Sequence, residues 1–177
     1  MIDRNALVTL VEDFGEPASE KSRELVLMLL RYSDDPFSRV QYAPGHITAT
    51  ACVAHPAEEA VLLIHHRRLD RWLLPGGHVE PEDADAFETA RREAEEETGV
   101  VIAPVTARLV GIDVHGIPSN GKEPYHLHHD LIFAFRAASA EIRVTEETRG
   151  TVWCGAAEFD RHELPDSIRR AAWLALI

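Results

Sequence analysis

Apolar residues along this chain recur with two different periods, which predicts a mixed α/β protein. Spacings of three and four residues, typical of amphipathic helices, occur at about 6–14, 20–32 and 167–176. Runs rich in apolar and β-branched residues predict strands at 45–54, 60–66, 107–117, 125–136 and 151–154. A polar segment from Asp34 to Pro44 joins the early helices to the first strand. We therefore expect a helical extension and linker over residues 1–44 and a main domain over residues 45–177.

A glycine pair and a helical run follow the second predicted strand. Gly76 and Gly77 lead into an acidic loop, after which Asp85, with Glu88 three residues later, resembles a helix-capping box. Gly99 stands where a residue in the left-handed conformation commonly ends a helix. The residues between these two signals are therefore predicted to form a helix.

One face of this predicted helix is acidic. Glu93, Glu96 and Glu97 are three and four residues apart, so their side chains fall on one face within about 100°. Like charges packed that closely repel, and some would take up protons unless a cation neutralised them. Mg²⁺ or Mn²⁺ prefers such oxygen ligands, and Arg92, four residues from both Glu88 and Glu96, is spaced to orient carboxylates. The alternative is a solvated surface helix rich in glutamate.

The stretch from the glycine pair to Val100 resembles the Nudix box, in which a glycine, five residues, a glutamate and seven residues precede R-E-U-x-E-E-x-G-U, with U apolar. Residues 92–100 match the second half at every specified position. In the first half, anchoring on Gly77 puts Asp83 in the place of the first glutamate and leaves one extra residue before the helix. We interpret the extra residue as an insertion in the loop between Glu80 and Asp85, which makes Asp83 a structural or positioning residue.

The resemblance implies an α/β/α sandwich with a mixed sheet over about residues 45–177. It also implies a hydrolase that cleaves a diphosphate linked to another moiety, X. A divalent cation would be held by Glu93, Glu96 and Glu97, with the Gly77 carbonyl as a further ligand and Arg92 in the same catalytic set. The proton of the attacking water would pass to a helix glutamate or to a loop residue such as Glu147.

The segment before the glycine pair also resembles the Nudix family, in which an apolar strand ends in basic residues and is followed by W-x-x-P-G-G. This resemblance indicates where substrate binds. Arg67 and Arg68 are candidates for phosphate contacts, although solvated charges at a strand end are the alternative. The glycine loop of Gly76 and Gly77, with the following His78, completes the candidate substrate contacts on this side.

Alternation along the strand predicted at 125–136 puts His126, His128 and Asp130 on one face. We expect this face to line the substrate pocket, with His128 as a substrate contact, and not to hold the catalytic cation. A transition-metal site made by these three residues is the alternative.

Composition narrows the function classes further. The formal net charge of −12 argues against a general nucleic-acid binder, which would present a basic face. The longest apolar run, Leu25 to Leu30, is too short for a bilayer, and the first residues lack the pattern of a signal peptide. Cys52 and Cys154 are interpreted as reduced core residues, so we expect a cytoplasmic protein with no membrane partner. A homodimer is left open.

Two other functions are also open. One is a non-catalytic Nudix-like module that binds a nucleotide as a sensor, although such a module has no need to keep all three glutamates. The other is isomerisation of a prenyl diphosphate, which would need a reactive cysteine, and Cys52 has no activating base nearby in the sequence. The moiety X is equally open among nucleotides, nucleotide sugars, dinucleoside polyphosphates and coenzyme A derivatives.

Overall fold

Helices flank one curled sheet in this protein, of which the computed structural model describes residues 2–104, 106 and 108–177. The α-helices are α1 (Arg4–Glu12), α2 (Glu20–Tyr32), α3 (Ala86–Thr98) and α4 (Asp166–Leu176). The strands are β1 (His46–Ala54), β2 (Ala60–His66), β3 (Arg71–Leu73), β4 (Gly76–His78), β5 (Leu109–Ile117), β6 (His126–Arg136) and β7 (Thr148–Gly155). Short 3₁₀ turns occupy Pro17–Ser19 and Ala156–Glu158.

Strand β1 lies at the centre of the sheet, whose order is β3-β2-β1-β6-β5. Along one edge β1 pairs in parallel with β6 over its whole length, from His46 opposite His128 to Ala54 opposite Arg136. Along the other edge β1 meets two antiparallel partners in turn, β4 at Thr48–Thr50 and β2 at Ala54. The sheet is therefore mixed. Strand β1 pairs with β6 along one edge and with both β4 and β2 along the other, so the short β4 lies beside the central strand.

The two faces of the sheet bury two separate apolar layers. On one face, α2 and α3 cover Ile47, Leu131 and Phe133 of the central strands. On the other face, α4 covers Cys52 and Ile132. Because side chains alternate along a strand, odd-numbered residues of β1 and β6 point to the first layer and even-numbered residues to the second. The predicted α/β/α sandwich, preceded by helices, is confirmed.

Several element boundaries differ from the sequence-based expectation. Helix α1 begins at Arg4 instead of about residue 6, because the Asp3 side chain caps it by accepting from the backbone N–H groups of Asn5 and Ala6. Strand β5 begins at Leu109, while its predicted start at Ala107 lies outside the described residues. Strand β7 is longer than predicted, and β3 and β4 were not predicted at all, because three residues are too few to display a period.

Both predicted ends of α3, the helix that carries Glu93, Glu96 and Glu97, are confirmed. The Asp85 carboxylate accepts a hydrogen bond of 2.8 Å from the Glu88 N–H, which makes Asp85 the N-cap of α3. At the other end Gly99 adopts φ of 65°, and its N–H donates to the Glu95 carbonyl at 2.8 Å. The extra residue is therefore taken up before the cap, and the glutamates keep their helical register. Within the described part of the chain, no helix combines the length and apolarity needed to cross a bilayer.

Candidate active site

The backbone of β4 lies directly against the acidic face of α3. The Gly76 N–H donates to the Glu97 carboxylate at 3.0 Å. A Cβ atom at Gly77 would lie 2.6 Å from Oε1 of Glu93, a distance that real Cβ atoms do not tolerate. A side chain at position 77 would therefore displace the Glu93 carboxylate from its place beside β4.

The three box glutamates differ sharply in exposure. Glu97 is 3% exposed, and the side chain of Glu93 is 14% exposed. Glu96 is 58% exposed and is held at the rim of the cluster by a 3.1 Å hydrogen bond from Arg92. Glu93 and Glu97, the inner pair, face Gly76 and Gly77 of β4, whereas Glu96 lies at the exposed edge of the cluster.

Burial makes ionisation of the inner pair unfavourable. It raises the pKa of Glu97 to about 8, against the hydrogen bond from Gly76, and the neighbouring charges of Glu93 and Glu147 add to the increase. Burial also raises the pKa of Glu93, although Arg92 opposes that shift. A hard divalent cation would relieve both penalties, and the oxygen donors on α3 are of the kind that Mg²⁺ prefers.

Arg92 makes five hydrogen bonds, one for each N–H of its guanidinium, and three of them connect α3 to Asp83 and His78 in front of it. Two go to the carboxylate oxygens of Asp83, both at 3.0 Å, and one goes to the His78 carbonyl at 3.0 Å. The others reach Glu93 at 2.9 Å and Glu96 at 3.1 Å. Arg92 therefore orients two box carboxylates, as predicted for Glu96, whereas Glu88 pairs with Arg91 at 3.0 Å instead.

Asp83 faces Arg92 and lies 6% exposed in the loop that takes up the extra residue. Its carboxylate also accepts from the Glu80 N–H at 2.9 Å and from the Thr89 hydroxyl at 2.8 Å. Burial opposes its ionisation, but the hydrogen bonds from Arg92, Glu80 and Thr89 outweigh it and hold the pKa of Asp83 below its ordinary value. With its oxygens already engaged, Asp83 fastens the loop and α3 together.

A group of histidines lies beside β4, on the face of the sheet opposite α3. His46, His78 and His128 each offer a ring nitrogen, and these nitrogens lie within 4.8 Å of one another. Burial, reinforced by the neighbouring rings, lowers the pKa of His78 to about 4 and that of His128 to about 2. His46 escaped the sequence analysis because only the parallel register of β1 with β6 brings it opposite His128.

The predicted grouping of His126, His128 and Asp130 is only partly observed. His126 and His128 contact each other, with their Nε2 atoms 3.3 Å apart. Asp130 shares their face but accepts from the hydroxyls of Thr48 and Thr50 at 2.8–2.9 Å. The alternative of a metal site that includes Asp130 is therefore not supported, because its carboxylate is buried against two threonine donors.

The predicted phosphate-binding arginines are both exposed. Arg68 forms an ion pair with Glu123 at 3.3 Å, and its charge contributes to the low pKa of His78. Arg67 turns towards the Thr148 carbonyl at 3.5 Å. Arg39, in the linker, was missed by the sequence analysis, yet its charge acts on both His46 and His78.

Two further residues bear on the chemistry. Glu147 is exposed in the segment before β7, near enough to the inner carboxylates for its charge to raise the pKa of both. Cys52 is fully buried, and burial raises the pKa of its thiol to about 12. A thiol of this kind is a core residue and not a nucleophile, which argues against the isomerase alternative.

Comparison with known proteins agrees with this architecture. A family model described as NUDIX domain matches residues 45–176. A Nudix family hydrolase from Clostridium perfringens superposes with a TM-score of 0.55, at 20% identity over 74% of this chain and 95% of that one. An Ap4A hydrolase from C. elegans gives 0.53, at 15% identity over 72% and 93%. An ADP-ribose pyrophosphatase from Streptococcus suis gives 0.50, at 19% identity over 73% and 88%. At these identities the solved structures share the fold.

The raised pKa of Glu97 predicts how the stability of chelator-treated protein depends on pH. The folded state keeps a proton up to about pH 8 that the unfolded state loses near 4.5, so stability falls as pH rises through that window. Glu97→Gln has no such proton and still accepts from Gly76. The variant should therefore gain stability over wild type as pH rises, on the order of 4 kcal/mol by pH 8.

Urea denaturation at several pH values measures this difference, and Glu96→Gln, a matched change at the exposed rim, is the control for loss of a charge. If the stability of wild type and Glu97→Gln changed with pH in the same way, the assignment of a buried carboxyl with a raised pKa at position 97 would be contradicted.

Proposed function

The chain belongs to the Nudix family of pyrophosphohydrolases, and on that premise we propose that it hydrolyses a nucleoside diphosphate derivative in a reaction that depends on Mg²⁺ or Mn²⁺. The observation that carries the proposal is the contact of the glycine backbone of β4 with the buried Glu97 and the largely buried Glu93. Two carboxylates buried side by side next to a backbone strand are costly for stability alone. The cost is offset where the carboxylates bind a cation that in turn binds phosphate.

The cation would be held by Glu93 and Glu97, with Glu96 at the rim and the Gly77 carbonyl as a further ligand. When bound, a divalent cation neutralises phosphate oxygens and lowers the pKa of a water molecule that attacks phosphorus. The donor set fits this role, because it consists of oxygen atoms and two of its carboxylates are nearly excluded from bulk water.

The residues of the chain supply orientation and a proton acceptor. The Gly76 N–H and Arg92 fix the positions of Glu97 and Glu93, so that little reorganisation is needed when charge develops. As water attacks phosphorus, the anhydride P–O bond breaks, the leaving phosphate keeps the bonding electrons, and a carboxylate takes the proton of the water. We assign that proton to the cluster of helix glutamates or to Glu147.

Phosphate groups must be met by local cations, because the protein as a whole carries a formal charge of −12. Arg68 and Arg67, at the end of β2, are our proposed phosphate contacts, and Arg39 is an additional candidate. Gly76, Gly77, His78 and His128 complete the proposed substrate-binding set. Because Glu123 already pairs with Arg68, substrate phosphate would have to replace that exposed ion pair, which costs little.

The second candidate is a sensor that binds a nucleotide without turning it over. The five hydrogen bonds of Arg92 weigh against it, because they hold catalytic-type carboxylates in a fixed arrangement that binding alone does not need. Binding of a nucleotide without any product release, under conditions in which the cation also binds, would favour the sensor.

We expect turnover to require a divalent cation. A panel of nucleotide sugars, ADP-ribose, dinucleoside polyphosphates, nucleoside triphosphates and coenzyme A derivatives, assayed by product identification, should yield at least one substrate with Mg²⁺ or Mn²⁺. Excess chelator should abolish that activity and added cation should restore it. Undiminished hydrolysis in excess chelator would refute the proposed chemistry.

Substitution of the inner carboxylates should reduce kcat far more than substitution of Asp83. Glu93→Gln and Glu97→Gln each remove a proposed ligand, and losses of about 10²–10³-fold or more are expected. Asp83→Asn leaves the proposed ligands in place and weakens the support of Arg92 and of the loop, for which about 10–100-fold is typical. Circular dichroism establishes that each variant is folded. Equal losses in all three would mean that Asp83 is itself a ligand.

A further inference from the structure

Three imidazole rings from three strands converge on one point of the sheet. His46 comes from the start of β1, His78 from the end of β4 and His128 from β6. Two pairings produce the convergence: His46 lies opposite His128, and Thr48 lies opposite His78. The ring centroids of the three histidines are 4.9–5.2 Å apart.

One of these rings has a buried lone pair that nothing in the described part of the chain satisfies. His46 is 0% exposed, and its Nδ1 lies 3.1 Å from the Gln41 carbonyl. A carbonyl only accepts, so Nδ1 carries the hydrogen and Nε2 of the neutral ring carries a lone pair. That Nε2 atom is buried without a hydrogen-bond partner among the described residues. Burying such an atom is unfavourable unless it gains a ligand.

We propose that His46, His78 and His128 form a binding site for a single transition-metal dication of the Zn²⁺ class, separate from the carboxylate site. Three imidazole nitrogens suit such an ion and do not suit Mg²⁺. In tetrahedral coordination at about 2.0–2.1 Å, ligand nitrogens lie about 3.4 Å apart. The nitrogens lie within 4.8 Å of one another at present, and this spacing must narrow when the ion binds.

The surroundings of the cluster fit this assignment. The Gln41 carbonyl orients His46 through its second ring nitrogen, as the outer partners of metal-bound histidines commonly do. His126 contacts His128 and stacks on His46 at 5.1 Å, so it screens one side of the cluster. His78 and His128 are only half-buried, which leaves solvent access for the remaining coordination position.

The site would act on β4 from the side opposite the carboxylates. Since neighbouring residues of a strand face opposite ways, Gly77 faces Glu93 on α3 while His78 faces His46 and His128. An ion at the histidines would therefore tie β4 to β1 and β6 and hold the glycine loop in place. In this assignment His78 and His128 ligate the ion instead of contacting substrate directly, and the inference uses neither the box glutamates nor a bound substrate.

Co²⁺ titration of chelator-treated full-length protein in excess Mg²⁺ tests the site, because the visible absorption of Co²⁺ reports low-coordinate nitrogen ligation. We expect saturation at one equivalent, displacement by Zn²⁺ and a higher Tm with Zn²⁺. Glu97→Gln should bind Co²⁺ as wild type does. His78→Gln and His128→Gln should each weaken binding at least about tenfold, since even residues that only orient a ligand contribute 10–100-fold.

His162→Gln, a change in a histidine that contacts Trp72 away from the cluster, is the matched control and should bind Co²⁺ like wild type. X-ray absorption of the Zn²⁺-loaded wild type counts imidazole ligands independently of any variant, and three are expected. Absence of saturable Co²⁺ binding in wild type, undiminished binding in folded His78→Gln and His128→Gln, or a zinc shell without imidazoles would each overturn the assignment.

Discussion

The close contact of the β4 backbone with the buried Glu97 and the largely buried Glu93 is the constraint on which the rest of the structure depends. A side chain at Gly77 would displace the Glu93 carboxylate, and the Gly76 N–H lies where it donates to Glu97. The contact also forces two like charges into a region of low exposure, where burial raises the pKa of both Glu93 and Glu97. A fold that maintains this arrangement must compensate for it.

Arg92 compensates for the burial of Glu93, whereas Glu97 has the Gly76 N–H as its donor. The hydrogen bonds of Arg92 to Asp83 outweigh its own partial burial, so that it stays charged and can share its remaining donors with Glu93 and Glu96. Because a buried carboxylate without its guanidinium partner is strongly unfavourable, Asp83 and Arg92 form one unit. The loop with the extra residue is thus part of the support of the site, although it lies outside the carboxylate cluster.

The local parts of this arrangement could be predicted from the sequence, because their causes are local. Asp85 and Gly99 mark the ends of α3 by capping chemistry that acts within four residues, and both positions are observed. The contribution of His46 could not be predicted, since it follows from a strand register that joins positions 82 residues apart in the chain, 46 and 128. Asp130 was expected beside the histidines, but the threonines of β1 that bind it also become neighbours only through this register.

The burial of each glutamate could not be predicted from helical spacing alone. The spacing puts Glu93, Glu96 and Glu97 on one face, yet only the position of β4 makes two of them interior and leaves Glu96 58% exposed.

The most direct test of a cation site at the inner pair is a Mn²⁺ titration of chelator-treated protein, with free Mn²⁺ read from its EPR signal. We predict saturable binding in wild type and in His128→Gln, and an affinity at least about tenfold lower in folded Glu97→Gln. Equal affinity in Glu97→Gln and wild type would contradict the account.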